Sequence, residues 1–322
     1  MQDLYAYFQY QLPRVEQSLQ DQLQTLNSTV RPVASHILQG GGKRLRPILC
    51  VLTAEALGSS RKDIYPLASA LELIHSATLL HDDVLDKAQF RRGNPAAHEV
   101  FGITQTILAG DALLALANKV VTSFGSVELV SCISEAIYHT AAGEVLEIQR
   151  MQQPNLSWAE YLEIIKGKTG YLIQNSCLSG AILAASSPAQ QDAAARFGFN
   201  LGVAFQLVDD ALDYSLSSKE AGKPLGGDLR EGKLTLPLIL FLERLDPGQR
   251  EGLLARIKEQ GLSSQEQDWI LEQIRELGLD IRTRQTAGQY LQKAREAALS
   301  LPQGASRSLL LDMVRYIQQR ES

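Results

Sequence analysis

Apolar residues recur at three- and four-residue spacing in six separate runs: Leu67–Leu80, Thr104–Val121, Val130–Ile148, Trp158–Ile165, Ala193–Leu212 and Leu309–Ile317. That period belongs to helices with a buried face. Runs of alternating β-branched residues joined by tight turns, the mark of a half-buried sheet, are missing. Gly and Pro punctuate rather than repeat, and Gly40–Gly42, Arg91–Pro95, Gly222–Gly232 and Pro302–Gly304 read as loops. Ser157, with Glu160 three residues on, reads as a capping box that opens a helix at Trp158. The runs between about residues 64 and 240 are apolar around much of their circumference. Beyond about residue 243 the chain is richer in Arg, Glu and Gln and reads as amphipathic surface helices. The pattern predicts an all-α fold, a single helical-bundle domain over residues 1–322.

Hydrophobic residues make up 45% of the 322, enough for a large core. With 31 Lys and Arg against 36 Asp and Glu the net charge is −5, which argues against generic binding to nucleic acid or anionic membrane. Cys50, Cys132 and Cys177 lie far apart in apolar runs, with no disulfide framework, as expected of a cytoplasmic protein. The opening MQDLYAYFQY lacks the basic, then apolar, pattern of a secretory signal. The most apolar region, Ile103 to Phe124, carries Asp111 and Lys119 inside it, so no transmembrane segment is expected.

Two acidic clusters stand at the ends of apolar helical runs. In LELIHSATLLHDDVLD, Asp82 and Asp86 are four apart and so lie about 40° from each other on one helix face, with Asp83 roughly 100° round. FQLVDDALDY repeats the arrangement with Asp209, Asp210 and Asp213. A solvated acidic helix end is one explanation for a single cluster. Carboxylates there repel one another and oppose the helix dipole, so solvation alone is a poor reason for two copies. Oxygen-only clusters suit Mg²⁺, which bridges to substrate phosphate.

Short basic islands supply the counterpart. GGGKRLRP carries Lys43, Arg44 and Arg46 beside glycines, Arg91 and Arg92 follow the first acidic cluster, and Lys223 and Lys233 flank GGDLREG. KGKTG contains Lys166, Lys168 and Thr169, but the full GxxxxGK[ST] pattern is absent and no strand precedes it, so a P-loop is excluded. An acidic protein with basic islands and two acidic clusters fits a diphosphate held both by Mg²⁺ on carboxylates and directly by Lys and Arg.

The motifs GGKRLRP, IHSATLLHDDVLD, RRG, GKTG, FQLVDDALDY and GKPLGGDLREGKLTLPL, in this order over roughly residues 40–240, resemble those of the trans-isoprenyl diphosphate (polyprenyl) synthases. The likeness is greatest to bacterial long-chain members such as the octaprenyl and nonaprenyl (solanesyl) diphosphate synthases. The resemblance implies the isoprenoid-synthase bundle and successive trans condensation of isopentenyl diphosphate onto an allylic diphosphate primer. It also implies a homodimer and three Mg²⁺ per substrate-loaded site. Asp82, Asp83 and Asp86 match the first metal motif, and Asp209, Asp210 and Asp213 the second. Lys43, Arg46, His75 and Arg92 match residues that bind isopentenyl diphosphate. Arg91, Lys168, Thr169, Gln206 and Lys223 match those that bind the allylic diphosphate, with Lys233 nearby. The catalytic work falls to Asp82, Asp86, Arg91, Lys168 and Asp209. Gly227 departs from the pattern, because many relatives carry a further Asp there.

His75 also fits a buried core histidine, and Thr169 a helix N-cap. Loss of diphosphate leaves an allyl cation that the alkene of isopentenyl diphosphate attacks, so neither a triad nor an activated cysteine is needed. Ala77 and Thr78, about one turn before Asp82, are both small and expected to wall a product pocket. They suit a long product of about C40–C45. Eight extended prenyl units need roughly 35–40 Å, about the length of a 25-residue helix. A shorter-chain geranylgeranyl or farnesyl synthase is the main alternative. A terpene cyclase fits less well, because its second motif usually mixes in Asn, Ser or Thr, and a regulatory subunit typically loses one cluster.

Overall fold

A computed structural model describes residues 2–151, 156–215, 225–259 and 261–320. All six periodic runs are helical, and the described residues hold almost no strand. The first half comprises α1 (Gln2–Gln24), α2 (Arg31–Gln39), α3 (Leu45–Ala56), α4 (Ile64–Leu85), α5 (Ala97–Phe101), α6 (Ile103–Thr122) and α7 (Val127–Met151). Then come α8 (Trp158–Ile165), a π-helical turn (Lys166–Gly170), α9 (Tyr171–Leu183) and α10 (Pro188–Leu212). The remainder is α11 (Gly227–Arg230), α12 (Leu236–Leu242), α13 (Pro247–Lys258), α14 (Ser264–Glu276), α15 (Leu279–Leu299) and α16 (Ala305–Gln318).

Capping fixes several starts. Ser157 and Glu160 form the expected box at α8, and Ser187 with Gln190 and Ser263 with Glu266 form boxes at α10 and α14. Every residue from Leu67 to Ile74 is buried, so α4 is enclosed on all sides, against α1, α3, α6 and α9. The next central helix, α9, packs against α3, α7 and α10. Its crossing with α3 is tight enough that a Cβ on Gly180 would collide with the carbonyl of Cys50, so only glycine fits there.

Two expectations change in detail. Arg91–Pro95 is a two-stranded hairpin, Phe90–Arg91 against Asn94–Pro95, rather than a plain loop. Its turn residues Arg92 (φ 51°) and Gly93 (φ 80°) both have positive φ, as a two-residue turn of this hand requires. The tail is more than surface, since α15 buries Ala287, Leu291, Ala294 and Ala298 in the core and packs along α10. No helix among the described residues is long and apolar enough to cross a membrane.

Candidate active site

The two aspartate rows stand at the C-terminal ends of α4 and α10, and the bundle brings them to one cavity of about 880 Å³. Asp82 lines it from α4 and Asp209 from α10. So do Lys43, Arg46, His75, Arg92, Lys168, Thr169, Gln206 and Thr78. Away from this polar mouth the wall is apolar: Ile74 and Leu79 of α4, Leu114 of α6, Ile137, Ala141, Val145 and Ile148 of α7, and Ile173 of α9. A smaller adjoining cleft shares Lys168, Thr169 and Gln206 and adds Asp210, Asp228 and Lys233.

The four residues matched to isopentenyl diphosphate form a cationic corner. Lys43, Arg46 and Arg92 join no ion pair among the described residues, and the Nε of Arg46 is buried without a hydrogen-bond partner. Burial, and then the Arg92 charge, pull Arg46 down to about 10 despite Glu72. Burial and the surrounding arginines hold His75 well below the usual histidine range, so it is neutral. The half-buried Arg46 guanidinium, with its Nε enclosed and no carboxylate paired to it, calls for an anion. The preceding glycines make room, because a Cβ on Gly42 (φ 153°) would lie 2.8 Å from Arg92 Nη1. Arg44 has the opposite job. It is buried, pairs with Glu16 (2.7 Å) and Glu72 (2.9 Å), donates to the Leu38 carbonyl, and so anchors the loop.

The six aspartates divide. Asp82 and Asp209 face the cavity; Asp86 is not among its lining residues and is reached at 3.1 Å by Lys233 of the adjoining cleft, across 147 residues of sequence. Asp83 points away from the cavity; it is fully buried, accepts from Arg91 Nε at 2.6 Å and leaves its Oδ2 without a partner. Arg91 is thereby turned from the cavity and does not line it. Asp210 lines the adjoining cleft, where Tyr161 and Gln206 donate to it, and Thr169 in turn donates to Gln206 at 2.9 Å. Thr169 therefore lies inside the π turn rather than at a helix N-cap. Asp213 is turned to another use: it accepts from the backbone N–H of Gly227 (3.0 Å) and Asp228 (2.9 Å) and caps α11. A Cβ at 227 would approach Asp213 Oδ1 to 3.3 Å, a tight contact for which the Asp213 carboxylate would have to give way. Ala77 is fully buried in the core and is not among the residues lining the cavity, whereas Thr78, 100° round the helix, is. Lys223 lies outside the described residues.

No three His, Cys, Asp or Glu side chains among the described residues converge into a ready-made metal centre. The donor chemistry nonetheless fits a hard divalent cation. Burial, then neighbouring Glu144, push Asp82 up to about 7, and burial pushes Asp210 up to about 7 as well. Carboxylates this hard to ionise are short of positive charge, and all their donors are oxygen.

Three residues were invisible to the sequence reading. Arg320, just past α16, pairs with Asp209 at 2.7 Å and stacks over Phe205. Glu144 and Glu147 of α7 both pair with Lys168. Their only signal in the sequence is the i, i+3 spacing of two acids behind Gly143.

The raised Asp82 and Asp210 carboxyls mean that the metal-free folded protein binds protons which the unfolded chain releases between about pH 4 and 7. Stability should therefore fall as pH rises through that window. In EDTA, the urea-unfolding free energy is expected to drop between about pH 5 and 7.5, and less steeply in Asp82→Asn. Equal slopes in the two proteins would contradict the assignment.

A family model described as polyprenyl synthetase matches residues 27–274. The octaprenyl diphosphate synthase of Escherichia coli is 36% identical over 302 residues, 93% of each chain. The all-trans-nonaprenyl-diphosphate synthase (geranyl-diphosphate specific) of Rhodobacter capsulatus is 33% identical, covering 99% of this chain and 98% of that one. Among solved structures, the polyprenyl synthase of Caulobacter crescentus complexed with calcium and isoprenyl diphosphate superposes with a TM-score of 0.91 at 36% identity, over 99% of this chain and 97% of that one. Shared motifs, shared fold and identity along nearly the whole length agree: this chain belongs to the polyprenyl synthetase family.

Proposed function

We propose that isopentenyl diphosphate and an allylic diphosphate meet in the cavity between the ends of α4 and α10, and that the product grows along its apolar wall. The chain is a trans-prenyltransferase of the long-chain kind, an enzyme that depends on a divalent metal. The observation that carries the residue-level reading is that Asp82 and Asp209, on helices far apart in sequence, share one cavity with the unpaired Lys43, Arg46 and Arg92.

In this reading Lys43, Arg46 and Arg92 hold the diphosphate of isopentenyl diphosphate, and neutral His75 offers one hydrogen bond to it. Lys168, Gln206, Thr169 and Lys233 face the allylic diphosphate; Arg91 joins them once it leaves Asp83. Asp82, Asp86 and Asp209 hold Mg²⁺, three ions in the loaded site, with Asp210 behind them. Bound Mg²⁺ supplies the positive charge that stabilises the departing diphosphate. The C–O bond of the primer breaks, the alkene of isopentenyl diphosphate forms the new C–C bond, and a proton leaves to the released diphosphate. Ile74, Leu79 and Ile173 keep water from the allyl cation.

From Ile74 to Asp82 is about 12 Å of helix, well short of the roughly 35–40 Å of eight extended units. A chain of about C40–C45 must therefore bend or shift side chains such as Leu114 and Ile137 as it grows. The same reading takes the chain as one domain, in the cytoplasm, where its three buried, unpaired cysteines are at home. It also takes it as a homodimer joined through α6 and α7, whose outer faces expose Ile103, Leu108 and Tyr138. A monomer mass in sedimentation at micromolar concentration would contradict the dimer.

Two measurements test the enzymology. With farnesyl diphosphate, isopentenyl diphosphate and Mg²⁺, products should reach about C40–C45 and vanish in EDTA; a stop at C15 or C20 contradicts the long-chain reading. Thr78→Phe should shorten the product by several units, and more than Ala77→Phe does. An unchanged product from Thr78→Phe would mean that the chain grows elsewhere.

A further inference from the structure

Lys168 is held in a way that the aspartate motifs do not explain. It sits on the π turn, and that turn rests directly on α7. A Cβ on Gly143 would lie 2.7 Å from the Lys168 nitrogen and 2.8 Å from the Gly167 Cα. A Cβ on Gly167 would lie 2.6 Å from the Gly143 Cα. Two glycines meeting back to back bring the backbones together, and single π-helical turns inside helices are frequent at functional sites. The residues that follow Gly143 on the same face of α7 are Glu144 and Glu147, three apart. Glu144 Oε2 lies 2.7 Å from Lys168 Nζ, and Glu147 Oε2 pairs with it too.

One carboxylate would neutralise one ammonium. The second leaves the cluster with a net negative charge beside Asp82, whose carboxyl Glu144 already makes harder to ionise. Burial works against the Lys168 charge, yet Glu147 and Glu144 more than offset it and keep the ammonium protonated. Stability gains little from such an arrangement. The placement is informative instead: Glu144 lines the main cavity, Glu147 the adjoining cleft, and Lys168 both.

We propose that Glu144 and Glu147 are positioning residues that fix the Lys168 ammonium at the junction of cavity and cleft, between the two aspartate-bearing helices. A lysine on a flexible four-carbon stem would otherwise sample many rotamers. Gripped from two sides, it already stands where the negative charge of the leaving diphosphate collects, so little reorganisation remains for the reaction itself. The inference deepens the assignment of Lys168 to the allylic diphosphate and rests on that reading.

A double-mutant cycle separates the two. Glu144→Gln/Glu147→Gln should lower kcat for the first addition by about 10- to 100-fold, with KM for isopentenyl diphosphate changed less than about threefold. The Mg²⁺ concentration for half-maximal rate should stay put. In a Lys168→Gln background the same pair should cost less than about twofold more. Glu147→Asp, which retains the charge, should recover part of the loss and guards against misfolding of the double variant. If the glutamates cost as much without Lys168 as with it, or if the Mg²⁺ requirement rises, the positioning role is overturned. If Lys168→Gln alone leaves the first addition within about threefold of normal, the assignment of Lys168 itself fails, and the inference with it.

Discussion

Two rows of carboxylates, each crowded within itself and partly withdrawn from solvent, meet one cavity, and the rest of the site answers that concentration of negative charge. Each row ends a helix at its negative pole, which sharpens the problem. The fold relieves part of it with its own cations: Lys233 bridges to Asp86, Arg320 covers Asp209 and Arg91 holds Asp83. Asp82 and Asp210 receive no such pairing and stay hard to ionise. Under the proposed assignment these contacts would have to rearrange in a loaded site, because Arg91 and Lys233 are assigned to the allylic diphosphate as well.

Separation of charge within the cavity follows the same logic. Lys43, Arg46 and Arg92 line the cavity without a paired carboxylate among the described residues, and Asp82 and Asp209 line the same cavity. A diphosphate carrying metal suits the acidic side, and a bare one suits the basic side. Beyond both, the wall turns apolar, which suits a growing prenyl chain and an intermediate that water would quench.

Much of this was legible in the sequence because it is local. Helical period gives α4, α6, α7, α10 and α16, and i, i+4 spacing puts Asp82 with Asp86 and Asp209 with Asp213. What was not legible depends on tertiary placement. Glu144 and Glu147 look like ordinary surface charge until Gly143 meets Gly167. Arg320 reaches Asp209 only through the docking of α16. The exchange of Ala77 for Thr78 turns on 100° of helix phase that only packing fixes. Asp213 matches a metal motif yet caps α11, a role that depends on where the chain returns after the second row. The hairpin at Arg91–Pro95 is too short to show strand alternation, and α15 hides its core face among small alanines.

The central claim is that both rows hold metal around one diphosphate. The most direct measurement is an anomalous difference map from crystals soaked with Mn²⁺ and an unreactive thio-analogue of the allylic diphosphate. The account predicts peaks on both sides of that diphosphate, one set beside Asp82 and Asp86 and another beside Asp209, with Arg320 withdrawn from the latter. Metal at one row only, or none within the cavity, would contradict it.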